Sequence, residues 1–209
     1  MTFRILNNRR KIAIVSISIL SVLLVCIWAI KIRDTNSKAY NVREEIYDSN
    51  DYVALNGNYF FEAIEKTDGY SIKLNSVEIE DYDAFYNSYN REAPSYNGVS
   101  PKHIVMINVT VKNDSNTDGC LPFKGFGIYN GALYIPIDFE ALNMIDPKIN
   151  GSSVLQLKEN SEVTLSFPFS AMPLDEAVNS NKLNDVLENE DLYLCVCEFP
   201  VRKLILIRK

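Results

Sequence analysis

The sequence predicts an all-β fold with minor helices: an antiparallel β-sandwich behind one N-terminal transmembrane helix. Three observations carry this. Apolar residues recur at period two through much of the chain beyond residue 50, turn residues punctuate those runs, and one unbroken apolar stretch near the N-terminus has helical length and basic flanks.

That stretch comes first. The nineteen residues from Ile12 to Ile30, between Lys11 and Lys31, contain no charge, no Pro and no Gly. As a helix they extend about 28 Å, close to a hydrocarbon core of about 30 Å. Trp28 falls near the end, where an indole prefers the interface. A cleaved signal peptide has an apolar core of about 7–15 residues; here the run is longer and Lys31-Ile32-Arg33-Asp34 follows it. Leu23-Leu24-Val25-Cys26 has a lipoprotein-like outline, but Ile27-Trp28-Ala29-Ile30 continue the apolar run, so an uncleaved anchor is expected.

Charge sets the orientation. The 209 residues hold 21 Lys and Arg against 27 Asp and Glu, a net charge of −6. Residues 1–33 carry Arg4, Arg9, Arg10, Lys11, Lys31 and Arg33 with no acid, which leaves 15 basic and 27 acidic residues, a net −12, on residues 34–209. The basic tail 1–11 is expected in the cytoplasm, with the acidic body translocated across the cell membrane. An acidic body also argues against a nucleic-acid partner, which requires basic residues to displace counterions from phosphates. Residues 31–50 are polar and read as a stalk, so the folded domain is expected over 51–209.

Within that domain, Tyr70, Ile72 and Leu74 alternate with polar residues; Val77 and Ile79 continue in the opposite phase, which predicts a bulge near Asn75-Ser76. His103 to Val111 is the strongest strand. One face carries His103, Val105, Ile107, Val109 and Val111, and the other Ile104 and Met106, the pattern of a central strand. Asn113 to Gly119 closes it with turn residues. Asn130-Gly131 between two short apolar runs predicts a type I′ hairpin, because both central residues of that turn take positive φ. Val163, Leu165, Phe167 and Phe169 alternate around Pro168, whose missing N–H suits an edge strand. Leu192–Cys197 and Leu204–Ile207 form a last hairpin around Pro200-Val201-Arg202. Two short helices are expected: one capped by Asp81, with Tyr82, Phe85, Tyr86 and Tyr89 on one face, and one over 174–187.

Little in the sequence points to catalysis, and no catalytic residues are assigned. The single His103 lies on an apolar strand face without a Ser or Cys partner, and acid pairs such as Glu78/Glu80, Asp81/Asp83 and Glu188/Glu190/Asp191 read as a solvated face. Asp114, Asn116 and Asp118, followed by Gly119, fit the opening of a calcium loop. The twelfth position is Gly125 in place of the bidentate Glu, so a plain turn accounts for the same residues and no cofactor is expected. Four cysteines are present. Cys26 lies in the apolar stretch. Cys195 and Cys197 share one side of a strand about 6.6 Å apart, too parallel to bridge each other. Cys120 either bridges one of them, or all three are small buried apolar residues. Tyrosines across 82–96, with Arg91, are residue types that interfaces favour.

A charged tail, one apolar span and a polar stalk precede GYSIKLNSVEIEDYDAF, IVMINVTVKNDSN and LQLKENSEVTLSFPF. This arrangement resembles the membrane- or lipid-anchored immunoglobulin-like domains of unknown function of low-GC Gram-positive bacteria. The resemblance covers residues 50–209; where the common pattern has Pro-Gly in the turn before the late strand, this chain has Lys158-Glu159-Asn160-Ser161. It implies an immunoglobulin-like fold, a cell-surface location and no catalytic residues. The resulting expectation is a non-enzymatic binding module, held in the bilayer through residues 12–30, that engages a protein or cell-envelope partner. The alternative is an accessory subunit of a membrane complex for transport, sensing or peptide immunity.

Overall fold

A computed structural model of the chain describes residues 20–33, 42–62, 65–95, 100–131, 133–149, 152–170 and 191–208. The chain divides into two compact units, Met1–Val42 and Arg43–Lys209.

In the first unit residues 20–33 are helical (α1). Leu20, Val22, Leu23, Leu24, Val25, Ile27, Trp28 and Ile30 are each more than half exposed. Four consecutive residues of a helix point around nearly the whole axis, so Val22 to Val25 alone leave α1 apolar on all sides. Among the described residues no helix is long and apolar enough to cross a membrane. Residues 12–19 of the span expected from sequence lie outside the described residues, as does the helix expected over 174–187.

The second unit is built from two sheets. The strands are β1 (Arg43–Tyr47), β2 (Val53–Ala54), β3 (Tyr70–Asp81), β4 (His103–Asn113), β5 (Gly127–Tyr129), β6 (Tyr134–Pro136), β7 (Ser161–Ser170), β8 (Leu192–Cys197) and β9 (Val201–Ile207). One sheet has the order β1-β9-β8-β5-β6 and the other β2-β3-β4-β7. Ile72, Leu74, Val105, Ile107, Val109, Val111, Phe167 and Phe169 of the second sheet share one core with Ile128, Ile135, Leu192, Leu194, Ile205 and Ile207 of the first. Period two explains this: each set lies at alternate positions of its strand and buries one face of its sheet.

Most of the strands expected from sequence are present. β4 is central, paired with β3 on one side and β7 on the other. Register shifts between Leu74 and Ser76, where the alternation changes phase. β7 is an edge strand and carries Pro168 there. β5 and β6 form a hairpin, but not the expected type I′ turn: of Asn130 and Gly131 only Gly131 takes a positive φ, +88°. The Asn130 side chain instead accepts the Leu133 N–H at 2.8 Å, closing a longer loop.

Three expectations need correction. The first sheet is not wholly antiparallel, because β1 runs parallel to β9, with Arg43 opposite Val201 and Tyr47 opposite Ile205. β1 also falls inside the stretch read as stalk, and the compact unit begins at Arg43. Its Arg-Glu-Glu composition looks like solvated linker, yet charge is how an edge strand avoids further pairing. Finally, α3 (Phe139–Ile145) was not expected; it is one of two short helices that cover the outer face of β4. α2 (Tyr82–Ser88) begins at Asp81, whose Oδ1 accepts the Ala84 N–H at 2.8 Å, as expected. α3 begins at Asp138, which accepts the Ala141 N–H at 2.9 Å in the same way. Tyr82, Phe85, Tyr86 and Ala141 then bury Ile104 and Met106 in a second, smaller cluster.

Candidate functional site

The residues picked out in the sequence do not come together. Asp114 pairs with Lys112 at 2.6 Å, Asp118 pairs with Lys66, and Asn116 turns inward. The Asn116 amide donates to the carbonyls of Lys66 (3.0 Å) and Asp68 (2.6 Å) and its oxygen accepts the Gly119 N–H at 2.5 Å. The three side chains thus close a loop, each on a different partner. Gly119 is required by that closure, since a Cβ there would lie 2.1 Å from the Lys66 carbonyl oxygen. The Lys66 ammonium holds the Asp118 carboxyl below its usual range. Among the described residues, no three or more His, Cys, Asp or Glu side chains gather as a metal-binding group.

The tyrosine-rich segment is divided. Tyr82 and Tyr86 are buried under α2, with Tyr86 Oη 3.5 Å from Asp138, while Tyr89 is exposed; Tyr96 lies outside the described residues. The cysteines are free thiols, and Cys195 and Cys197 are buried, which leaves the bridge from Cys120 unformed.

The outer face of the five-stranded sheet brings together residues that sequence reasoning passed over. Ile205 and Ile207 enter the core, so Arg202 and Leu206 of β9 alternate to the opposite side beside Glu44 and Ile46 of β1, while Leu204 between them is buried and belongs to the core cluster. Arg202 is the centre. Its Nη1 lies 2.6 Å from Glu44, its direct cross-strand partner, and its Nη2 2.8 Å from Glu198. The same guanidinium donates to Tyr129 Oη at 2.9 Å and stacks 4.8 Å from the Tyr129 ring centroid. Burial opposes the Arg202 charge, but the Glu198 and Glu44 carboxylates outweigh it and raise its pKa. Burial likewise raises the Tyr129 hydroxyl; Arg202 opposes this and Glu44 adds to it.

Cys195 is placed beneath this cluster. It pairs with Gly127 and Leu204, and its Sγ lies 3.5 Å from Glu198 Oε1. The Tyr134 ring lies over Gly127, where a Cβ would meet it at 2.4 Å. Burial and then Glu198 push the Cys195 thiol up, so it stays protonated and donates rather than attacks. Around the charged centre lie Tyr193 and Leu206, half-buried, and Tyr134 and Ile46, exposed. The arrangement is an ion-paired polar centre with an aromatic and aliphatic surround.

Buried acids set an alkaline limit on the fold. Burial takes the Cys197 thiol up to about 12 and the Tyr47 hydroxyl up to about 12, and raises Cys195. Folded pKa values above the unfolded ones give stability that is complete below the ordinary thiol range and is lost as pH rises towards 12. The urea midpoint is therefore expected to stay level from pH 7 to about 8.5 and then to fall. Cys197→Ala should make the fall shallower; an unchanged slope would remove the thiol from the explanation.

A family model described as a domain of unknown function (DUF5028) matches residues 44–203. No curated protein and no solved structure matches the chain. The match runs from the second residue of β1 to the third residue of β9, so it takes in both sheets and the Glu44–Arg202 pair. The chain belongs to the DUF5028 family.

Proposed function

We propose that the chain is a single-pass, membrane-anchored protein whose immunoglobulin-like β unit stands outside the cell and acts by binding. The strand order supports the immunoglobulin-like reading. That architecture places strands A, B and E in one sheet and G, F, C and C′ in the other. Taking β3, β4 and β7 as A, B and E, and β9, β8, β5 and β6 as G, F, C and C′, matches the order of seven of the nine strands, with β1 added beside G and β2 beside A in place of D beside E.

The apolar surface around α1 supports the anchor. A helix greasy on all sides and exposed along its described length needs an apolar surround, and the basic residues at both ends of 12–30 match headgroups. The bilayer is therefore the first partner.

The observation that carries the binding role is the outer face of β1-β9-β8-β5-β6, where Tyr129, Tyr134, Tyr193, Ile46 and Leu206 surround Arg202. Tyr and Arg are enriched among the few residues that carry most of the affinity of protein interfaces, and a pre-formed ion-pair network loses little entropy on docking. The proposed partner is a protein or envelope component that presents an apolar patch with a polar centre.

Photo-crosslinking on intact cells tests this, with the reactive group placed at Tyr193 or, as a control, at Thr164 on the opposite sheet. A discrete adduct from position 193, absent from 164 and lost with Ile46→Asp, is expected. Equal labelling from both faces, or none from 193, would overturn the assignment of the face. The predicted folding cost of Ile46→Asp is small, because Ile46 is 58% exposed.

A further inference from the structure

Pairing across four strands puts three tyrosines in one row on the outer face. Tyr129 of β5 lies directly opposite Tyr134 of β6 on one side and Tyr193 of β8 on the other, and Tyr193 lies opposite Leu206 of β9. Residues directly opposite one another share a face, and Ile128, Ile135, Leu192 and Leu194 turn the other way into the core. The row therefore crosses the sheet at right angles to its strands, with one side chain from each.

The rings are held apart. The Tyr134 hydroxyl donates to the Gly125 carbonyl while its ring lies over Gly127, and the Tyr129 ring is stacked against the Arg202 guanidinium. Among the described residues no ring–ring contact joins the three tyrosines, so they stand as separate ridges, and the Tyr193 hydroxyl has no hydrogen-bond partner.

This spacing selects a ligand. Neighbouring strands lie about 4.8 Å apart, which puts the Tyr134 and Tyr193 backbones about 9.6 Å apart. A polyproline II segment turns once every three residues of about 3.1 Å, a repeat of about 9.3 Å. Prolines one turn apart thus meet Tyr134 and Tyr193 in register, with Tyr129 between them. Such a segment makes no internal hydrogen bonds, so its carbonyls need donors, and the Tyr193 hydroxyl has one to give. Its order before binding keeps the entropic cost of docking low. The centre beside the row sets two carboxylates, Glu44 and Glu198, against the one Arg202 guanidinium, which favours a basic residue next to the prolines. A sugar polymer fits less well, because it stacks on ring faces and Arg202 takes one face of Tyr129.

We infer that the partner of this face carries a proline-rich polyproline II segment, with a basic residue beside it, that lies along the Tyr134–Tyr129–Tyr193 row. The inference rests on the proposed binding role of the face and names the chemistry of its partner.

Calorimetric titration of the full chain in detergent micelles tests it. The probes are an oligoproline peptide ending in arginine, a glycine–serine peptide of the same length with the same end, and a β-linked oligomer of N-acetylglucosamine. Heat is expected from the oligoproline alone. Tyr193→Phe keeps the ring and removes the donor, and is expected to weaken binding about threefold or more; Tyr134→Ala is expected to weaken it about tenfold. Tyr89→Ala, at an exposed position beyond α2, is expected to leave it unchanged. No heat from the oligoproline at millimolar concentration, equal heat from the glycine–serine peptide, or a heat that neither Tyr193→Phe nor Tyr134→Ala reduces would overturn the inference. So would heat from the sugar oligomer in place of the peptide. The crosslinked adduct from position 193 then separates the two readings: if it still forms on intact cells, only the proline-rich partner is lost, and if it does not, the binding role of the face falls as well.

Discussion

Phe167→Ala is expected to destabilise the β unit by about 3–5 kcal/mol, the usual range for truncating a fully buried phenylalanine. Phe167 is wholly buried on β7 opposite Ile107, and its ring lies 5.4 Å from Phe123 and 5.6 Å edge-on from Phe126. Phe126 in turn reaches Phe60, at 5.9 Å. Truncation therefore opens a cavity where the β7 edge meets the segment entering β5, and two aromatic neighbours, Phe123 and Phe126, lose their partner. Their rings cannot collapse into the gap without disturbing Gly125, against which Phe60 is packed. The check is the shift in urea midpoint at constant slope; a loss below about 1 kcal/mol would mean that this aromatic seam is not the core.

The second large effect is expected from a polar residue. Asn113 is fully buried at the end of β4. Its Nδ2 donates to the carbonyls of Asn116 and Leu157, each at 2.8 Å, and its Oδ1 accepts the Asn116 N–H at 2.7 Å. One side chain thereby closes the turn after β4 and ties it to the segment before β7. Asn113→Ala strands those backbone groups away from water, at about 1–3 kcal/mol each, so a loss of about 3–5 kcal/mol is expected. Asn113→Asp restores one acceptor but no donor and adds a buried charge, so it should not rescue the fold. Rescue by Asp, measured by the same urea series, would contradict the donor role.

What could be read from the chain divides along a physical line. β3, β4, β7 and the β8–β9 hairpin are long enough for period two to register, and Asp81 marks a helix start through local capping chemistry. β1 and β2 are five and two residues long, and β1 is charged, so neither shows an alternation that distinguishes it from linker. α3 is only seven residues, following a strand that ends in Pro136. The candidate site was hidden for the same reason. Arg202 becomes a centre only through Glu44, 158 positions away in sequence, and no local pattern reports a parallel pairing over that distance. The turn at Asn113–Gly119 was legible as a turn, but the inward rotation of the Asn116 amide depends on the Lys66 and Asp68 carbonyls, which the sequence does not place.

The proposed function puts the β unit at the outer surface of a membrane, held by one N-terminal helix. Protease treatment of intact cells bearing the full chain, beside lysed cells, tests that arrangement most directly. The account predicts that residues 43–209 are digested in intact cells while a cytoplasmic marker survives. Survival of the β unit in intact cells, with loss only after lysis, would contradict it.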